Sequence, residues 1–450
     1  MPRSRPDFSA ALAIPGDAVI TRSNWYLVWM VAILYLVANI DRFVLNLMIE
    51  SIKRDFGASD VQVSLLAGFS FSLFYVLCGF WIARLADRFN RRNILTVGAI
   101  LWSLFTAAAG AAQNFAQLFV TRMGVGVGEG AIVPCGQSMI ADEVPEESLG
   151  RAMSVFSVGS LLGALMAFSI GGLLIGWSAR TWPEGLEVPF VGVIFNWQVV
   201  FYIVGLPGVL LALLFLVTVK EPRRRLAPAE LSPDFGSVLS FMGANKRVYI
   251  AILGGVTAVQ LGAASASTWL PALFERNFGI MPEEAGLWIV SALVFPGVMS
   301  ALLGGWLGDR MLRQGSYESY VRLASIACFV GFLPFGLAPI MPSVTGLVVL
   351  AALGTFATFM TQTLSIAALQ AIAPGNMRAT MAALMTIAIA LVAYGCGPLI
   401  VAMITDFLFA DEAKLGLSLT IVLTGSVFLA ACLYRYGSGD FGQLLAAQRG

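Results

Sequence analysis

Residues 122–147 read RMGVGVGEGAIVPCGQSMIADEVPEE, and the reading of this stretch decides the fold. It is apolar and glycine-rich, of helical rather than strand character, yet it contains Arg122 and Glu129. An ionised side chain in a membrane-buried helix costs about 2.5 to 3.5 kcal/mol on insertion scales, so each needs a reason to be there. A spacing of seven puts both on one helix face, two turns or about 10 Å apart along the axis. Gly124, Gly126, Gly128 and Gly130 thin that helix so that neighbours can approach closely. A dinucleotide fingerprint is excluded, because it needs a strand before the glycines and a βαβ unit around them. What remains is a packing ion pair or a functional one, and intramembrane ionisable residues point to function.

Composition widens this to the whole chain. The 450 residues are 58% hydrophobic and 12% charged, with mean hydropathy +0.84, whereas about a quarter of a soluble domain is charged. The chain therefore reads as a polytopic membrane protein. A net charge of +1 gives no ground for a nucleic-acid partner. Histidine is absent, so any proton carrier has to be a carboxylate. The five cysteines lie in apolar runs without metal-ligand spacing, so neither a metal site nor a disulfide is expected. No nucleotide-binding GxxxxGK[ST] run and no nucleophile and base pair occurs, which argues against a primary pump and an enzyme and leaves catalytic residues and cofactors at none. No Asn-x-Ser/Thr sequon occurs, which suits a bacterial chain.

Apolar runs of transmembrane length fall at about 25–49, 61–84, 93–112, 115–139, 151–176 and 197–219, then at about 249–274, 285–308, 321–341, 344–372, 378–405 and 415–435. Twelve spans in two sixes follow: a tail at 1–24, a first bundle at 25–219, a linker at 220–247, a second bundle at 248–436 and a tail at 437–450. Within the linker, 235–242 reads as a short amphipathic surface helix. Alternate loops on the side of the N-terminus hold twenty of the 27 lysines and arginines and those on the other side five, Arg42 and Arg122 being the rest. Both termini are expected in the cytoplasm, in the bacterial inner membrane. AlaArgLeuAlaAspArg at 83–88 returns as GlyTrpLeuGlyAspArg at 305–310, each at the end of the second span of its six. Such a repeat implies two parallel homologous halves with a site between them.

Ala83, Leu85, Ala86, Asp87, Arg88, Asn90, Arg91 and Arg92 resemble the loop signature of the major facilitator superfamily, with Ala83 and Asn90 in place of its usual glycines. AspArgPheAsnArgArg at 87–92, AsnIleAspArg at 39–42, GlyValGlyGluGly at 126–130 and SerMetIleAlaAsp at 138–142 are similar to its spinster branch, where alanine usually stands at the place of Gly130. The resemblance implies an all-α membrane fold of two pseudo-symmetric six-helix bundles and a lysolipid or sphingolipid-like substrate.

The charged residues suggest a division of labour. Asp41, with an arginine within reach, is expected to stay ionised, while Glu129 is deeper and pairable only by Arg42 or Arg122. Desolvation makes Glu129 the better proton carrier, with Asp41 as the second. Arg42 and Arg122 suit a carboxylate or phosphate head. The second half has no charge in the middle of its spans and offers Gln260, Trp269, Thr361, Gln362 and Tyr394 as further substrate contacts. Asp87, Arg88, Arg151, Asp309 and Arg310, at the ends of spans, are candidates for a latch between the halves. Together these residues suit a monomeric secondary transporter, driven by the proton gradient and surrounded by membrane lipids, that moves an amphipathic or anionic solute by alternating access. A symporter of small organic anions is the alternative within transporters, and a non-transporting receptor or scaffold the alternative outside them.

Overall fold

Polar caps start several of the helices that carry the apolar runs. Ser59 and Gln62 form a reciprocal capping box, in which Gln62 N donates to Ser59 Oγ at 3.2 Å and Ser59 N to Gln62 Oε1 at 2.9 Å. Asn90 and Asn114 accept from the backbone N–H groups of Asn93 and Gln117, each at 2.9 Å. The computed structural model describes residues 22–189, 192–224, 235–374 and 377–449. The expected N-terminal tail, apart from its last three residues, and the middle of the linker lie outside them.

Among the described residues, twelve helices are long and apolar enough to cross a membrane. Spans one to six are Asn24–Phe56, Asp60–Arg88, Arg91–Ala109, Phe115–Glu143, Ser148–Thr181 and Asn196–Thr218. Spans seven to twelve are Lys246–Phe278, Pro282–Arg313, Ser319–Ile340, Val344–Ile372, Thr380–Phe409 and Glu412–Ala447. Each contains one of the expected apolar runs almost whole, and most run further into polar sequence. The last shows why: its helix continues to Arg449 through the segment expected to be a tail, with Phe441 and Leu445 buried. Hydropathy marks where apolar sequence stops, but tertiary packing carries the helix on. The short linker helix forms as Phe235–Ala244. Periodicity gave no sign of the antiparallel hairpin of β1 (Leu186–Val188) and β2 (Gly192–Ile194) between spans five and six.

Because the chain crosses twelve times, residues 24 and 447 lie at one face, called here the terminal face; the opposite one is the distal face. In the first half, span one packs on five, three on six and two on four; in the second, nine packs on ten and twelve, and eight on ten. The halves meet where one touches seven, two touches eleven and five touches eight. Backbone approaches backbone at two of these seams. A Cβ on Gly68 of span two would stand 2.5 Å from the Tyr394 carbonyl oxygen of span eleven, and one on Gly172 of span five 2.6 Å from the Pro282 carbonyl oxygen of span eight.

The apolar core is divided unequally. One cluster runs unbroken from Val44, Leu47 and Ile52 through Trp197 and Phe168 into the second half at Val259, Trp269 and Leu293. The other, around Leu34, Trp102, Ile132 and Phe156, stays within the first half, toward the terminal face. Continuous core joins the halves at the distal side, so this is a conformation closed there.

Candidate functional site

Asp41 and Arg42 are neighbours on a helix and therefore point about 100° apart. That angle separates their surroundings. Asp41 turns into the first half and is fully buried, with Oδ2 accepting from Thr106 Oγ1 of span three at 3.1 Å. Arg42 turns across to span four, where Nη2 donates to Glu129 Oε2 at 2.6 Å. Its guanidinium carbon lies 4.6 Å from the ring centre of Phe71 and 5.3 Å from that of Tyr75, both on span two. Cation–π contact of this kind holds a desolvated arginine without cancelling its charge. Tyr35, Tyr75 and Tyr394 all lie within electrostatic reach of Arg42, the last contributed by the other half.

Exposure distinguishes the four charges. Asp41, Arg122 and Glu129 are each 0% exposed, whereas the side chain of Arg42 is 19% exposed. Glu129 Oε1, Asp41 Oδ1 and the Nε and Nη2 of Arg122 have no hydrogen-bond partner among the described residues. Spare bonding capacity is thus concentrated around the one arginine that remains accessible.

Two expectations change here. Asp41 makes no ion pair with either arginine: Arg122 Nη1 reaches only its backbone carbonyl oxygen, at 3.5 Å, because the carboxylate is turned toward span three. Arg122 itself is walled in and cannot touch a solute in this conformation. Its place in the constellation is to offset Asp41 and Glu129 from within.

In the second half, Trp269 is fully buried and donates Nε1 to the Pro398 carbonyl oxygen at 2.9 Å, so it braces spans seven and eleven. Thr361 is buried and donates to its own helix at the Thr358 carbonyl oxygen. Neither is free to contact a solute in this conformation. Gln260 is 4% exposed, with Oε1 unpartnered among the described residues. Gln362 and Tyr394 are half-buried.

The expected latch residues do not join the halves here. Asp87, Arg88, Arg151, Asp309 and Arg310 are all exposed. Arg224 donates to the backbone carbonyl oxygens of Ala86, Asp87 and Phe89. Asp309 Oδ1 accepts from Tyr320 within the second half, at 2.8 Å. Arg151 lies over Trp25, and Arg310 over Trp306. The buried ion-pair centre of this face is Arg91, which donates to Glu221 Oε1 at 2.8 Å, to Ser138 Oγ at 2.8 Å and to Asp142. Two sequence signatures, 87–92 and 138–142, meet in it.

The bonds between the halves lie toward the distal face. Arg276 of span seven donates Nε and Nη2 to Glu50 Oε1 at 2.9 and 2.7 Å, and Nη1 and Nη2 to the two Asp60 oxygens at 2.8 and 2.7 Å. Lys53 pairs with Asp60 and, across the halves, with Glu412 at 2.9 Å. Asp406 Oδ2 accepts from Val61 N at 3.0 Å, and Arg180 pairs with Glu283 at 2.7 Å. Sequence reading passed over this lock because its members look like loop-end charges, and nothing in their spacing shows that Glu50, Asp60 and Arg276 converge.

Two bundles sealed at one face, with a charge cluster behind a single accessible arginine, are the architecture of a two-domain membrane protein with a site between its halves. The chain matches the Major Facilitator Superfamily over residues 31–398, and it belongs to that family. It is 26% identical over 427 residues to an MFS-type efflux pump of Mycolicibacterium smegmatis, covering 93% of this chain and 94% of that one. It is 27% identical over 339 residues to a probable galactarate/D-glucarate transporter of Bacillus subtilis, covering 68% and 69%. Among solved structures, a bacterial homologue of the human lysosomal transporter spinster, inward-facing and unoccupied, superposes with a TM-score of 0.77 at 22% identity. That match covers 95% of this chain and 98% of the other, and it shows a shared fold.

Proposed function

We propose that this protein is a proton-linked secondary transporter of organic anions, in which the solute's anionic head competes with Glu129 for Arg42. The observation that carries the reading is Arg42 itself: bonded to Glu129 at 2.6 Å, it is the one member of the four-charge cluster with exposed surface. A carboxylate or phosphate head at the guanidinium takes over Glu129's counter-ion. An ionised carboxylate left alone at 0% exposure is far more costly than a neutral one, so Glu129 takes up a proton when the head arrives. By linkage each ligand then tightens the binding of the other. Asp41, bonded to Thr106 instead of an arginine, is the reserve proton carrier.

The relative named for galactarate and D-glucarate supports an organic anion as the solute. The fold shared with the spinster homologue and the uncharged middle of the second half's spans favour a second reading of the same site, an amphipathic lysolipid-like anion. Twenty of 27 cationic residues in the loops of the N-terminal side support cytoplasmic termini in a bacterial inner membrane, which makes this conformation closed toward the outside.

The test is uptake into proteoliposomes under an imposed pH gradient, with Glu129→Gln as the variant. Glu129→Gln imitates the protonated state, so solute binding and exchange persist while gradient-driven accumulation is lost. Accumulation by that variant at the wild-type level would remove Glu129 from the coupling step and pass the role to Asp41.

A further inference from the structure

The charge cluster carries a second consequence, resting on the proton-for-anion competition above. Asp41, Arg42, Arg122 and Glu129 sum to zero when all are ionised. With Glu129 protonated they sum to one positive charge. A solute with one negative charge restores zero, and a solute with two leaves the site one charge negative. No lysine or arginine in the middle of spans seven to twelve is available to absorb the difference: Arg276, Arg310, Arg322 and Lys414 stand toward the ends of their spans, and Arg435 of span twelve is exposed on the outside of its helix. Arg122 is sealed off at 0% exposure, so Arg42 is the one cation of the cluster that a head can reach.

We propose that the site selects singly charged organic anions, carried together with one proton in an electroneutral step, and that the aromatic collar around Arg42 sets this preference. Both reorienting forms, empty with Glu129 ionised and loaded with Glu129 protonated, then carry no net charge through the low-dielectric interior. The collar is Phe71 and Tyr75 beneath the guanidinium, with Tyr35 and Tyr394 nearby. A single carboxylate has about four acceptor positions, which guanidinium N–H groups and phenol hydroxyls can fill. The same rings then offer apolar surface to whatever follows the head, and no cation for a second one. On this reading the chain parts company with a relative named for galactarate and D-glucarate, which are dicarboxylates.

The experiment uses matched probes. Binding of benzenesulfonate against benzene-1,3-disulfonate, and of octanoate against suberate, is read as thermal stabilisation of the purified protein. Uptake of the sulfonates is followed in proteoliposomes with the membrane potential clamped by potassium and valinomycin. The expected result is at least a tenfold preference for the single charge, about 1.4 kcal/mol, with uptake driven by the pH gradient and indifferent to potential. Tyr394→Lys, which adds a cation beside Arg42, shifts the preference toward the disulfonate. Equal or tighter binding of the doubly charged probes, or uptake that follows the potential, overturns the selection while leaving an anion transporter in place. If no probe binds or moves, the selection and the transport reading fall together.

Discussion

Arg276→Ala removes the centre of the distal lock, and its effect follows from the bonds lost. Arg276 is 9% exposed and makes four charge-assisted hydrogen bonds across the halves, to Glu50 and Asp60. Removing one partner of a buried ion pair costs about 3 to 5 kcal/mol. Lys53 still pairs with Asp60, and Glu50 is 17% exposed and regains water, so the lower end applies. A cost of about 3 kcal/mol falls on the distally closed state alone and moves the equilibrium about a hundredfold. A population 99:1 in favour of closure thus becomes about even. Spin labels on either side of the distal seam, read by pulsed electron paramagnetic resonance in lipid nanodiscs, report the distance distribution. The variant is expected to gain a long-distance peak of roughly equal weight. A distribution unchanged from wild type would mean that apolar packing, not this ion-pair network, holds the distal face shut.

Other consequences follow from the same geometry. Asp87→Asn alters an exposed carboxylate that does not join the halves here, so solute affinity and melting temperature stay near wild type while turnover slows; lost affinity with unchanged turnover would count against a latch acting in the opposite conformation. Arg91→Ala leaves Asp142 and Glu221 without their buried cation and should lower stability by about 3 kcal/mol or more, read as a fall in melting temperature. Gly172→Ala sets a methyl 2.6 Å from the Pro282 carbonyl oxygen and forces spans five and eight apart, so cysteine labelling at the distal seam should rise; unaltered labelling would show that the seam yields without opening.

The fold and the existence of the twelve spans were legible because the hydrophobic signal of a membrane helix is strong and local, whereas most span ends were not, because packing carries the helices on into polar sequence. The pairing of Arg42 with Glu129 was partly legible, since two charges buried in apolar helices have few places to go. That Asp41 faces Thr106 was not, because the face a residue presents depends on helix rotation, which the first span's nearly uniform apolar sequence leaves undetermined. The lock at Arg276 was hidden for another reason. Glu50, Asp60 and Arg276 lie on different helices, and the conformation, not the sequence, brings them together. The burial of Trp269 and Thr361 belongs here too: polar atoms in apolar helices look alike in sequence whether they face a cavity or a neighbouring backbone.

The seams at Gly68 and Gly172 bear on how the halves move past one another. Where the contact is carbonyl oxygen against a bare Cα, no side chain has to change rotamer as the surfaces part, so the ordering entropy that usually accompanies a remade interface is small. Such contacts act as dry bearings. They leave the cost of parting the halves to the apolar core and the buried ion pairs nearer the distal face.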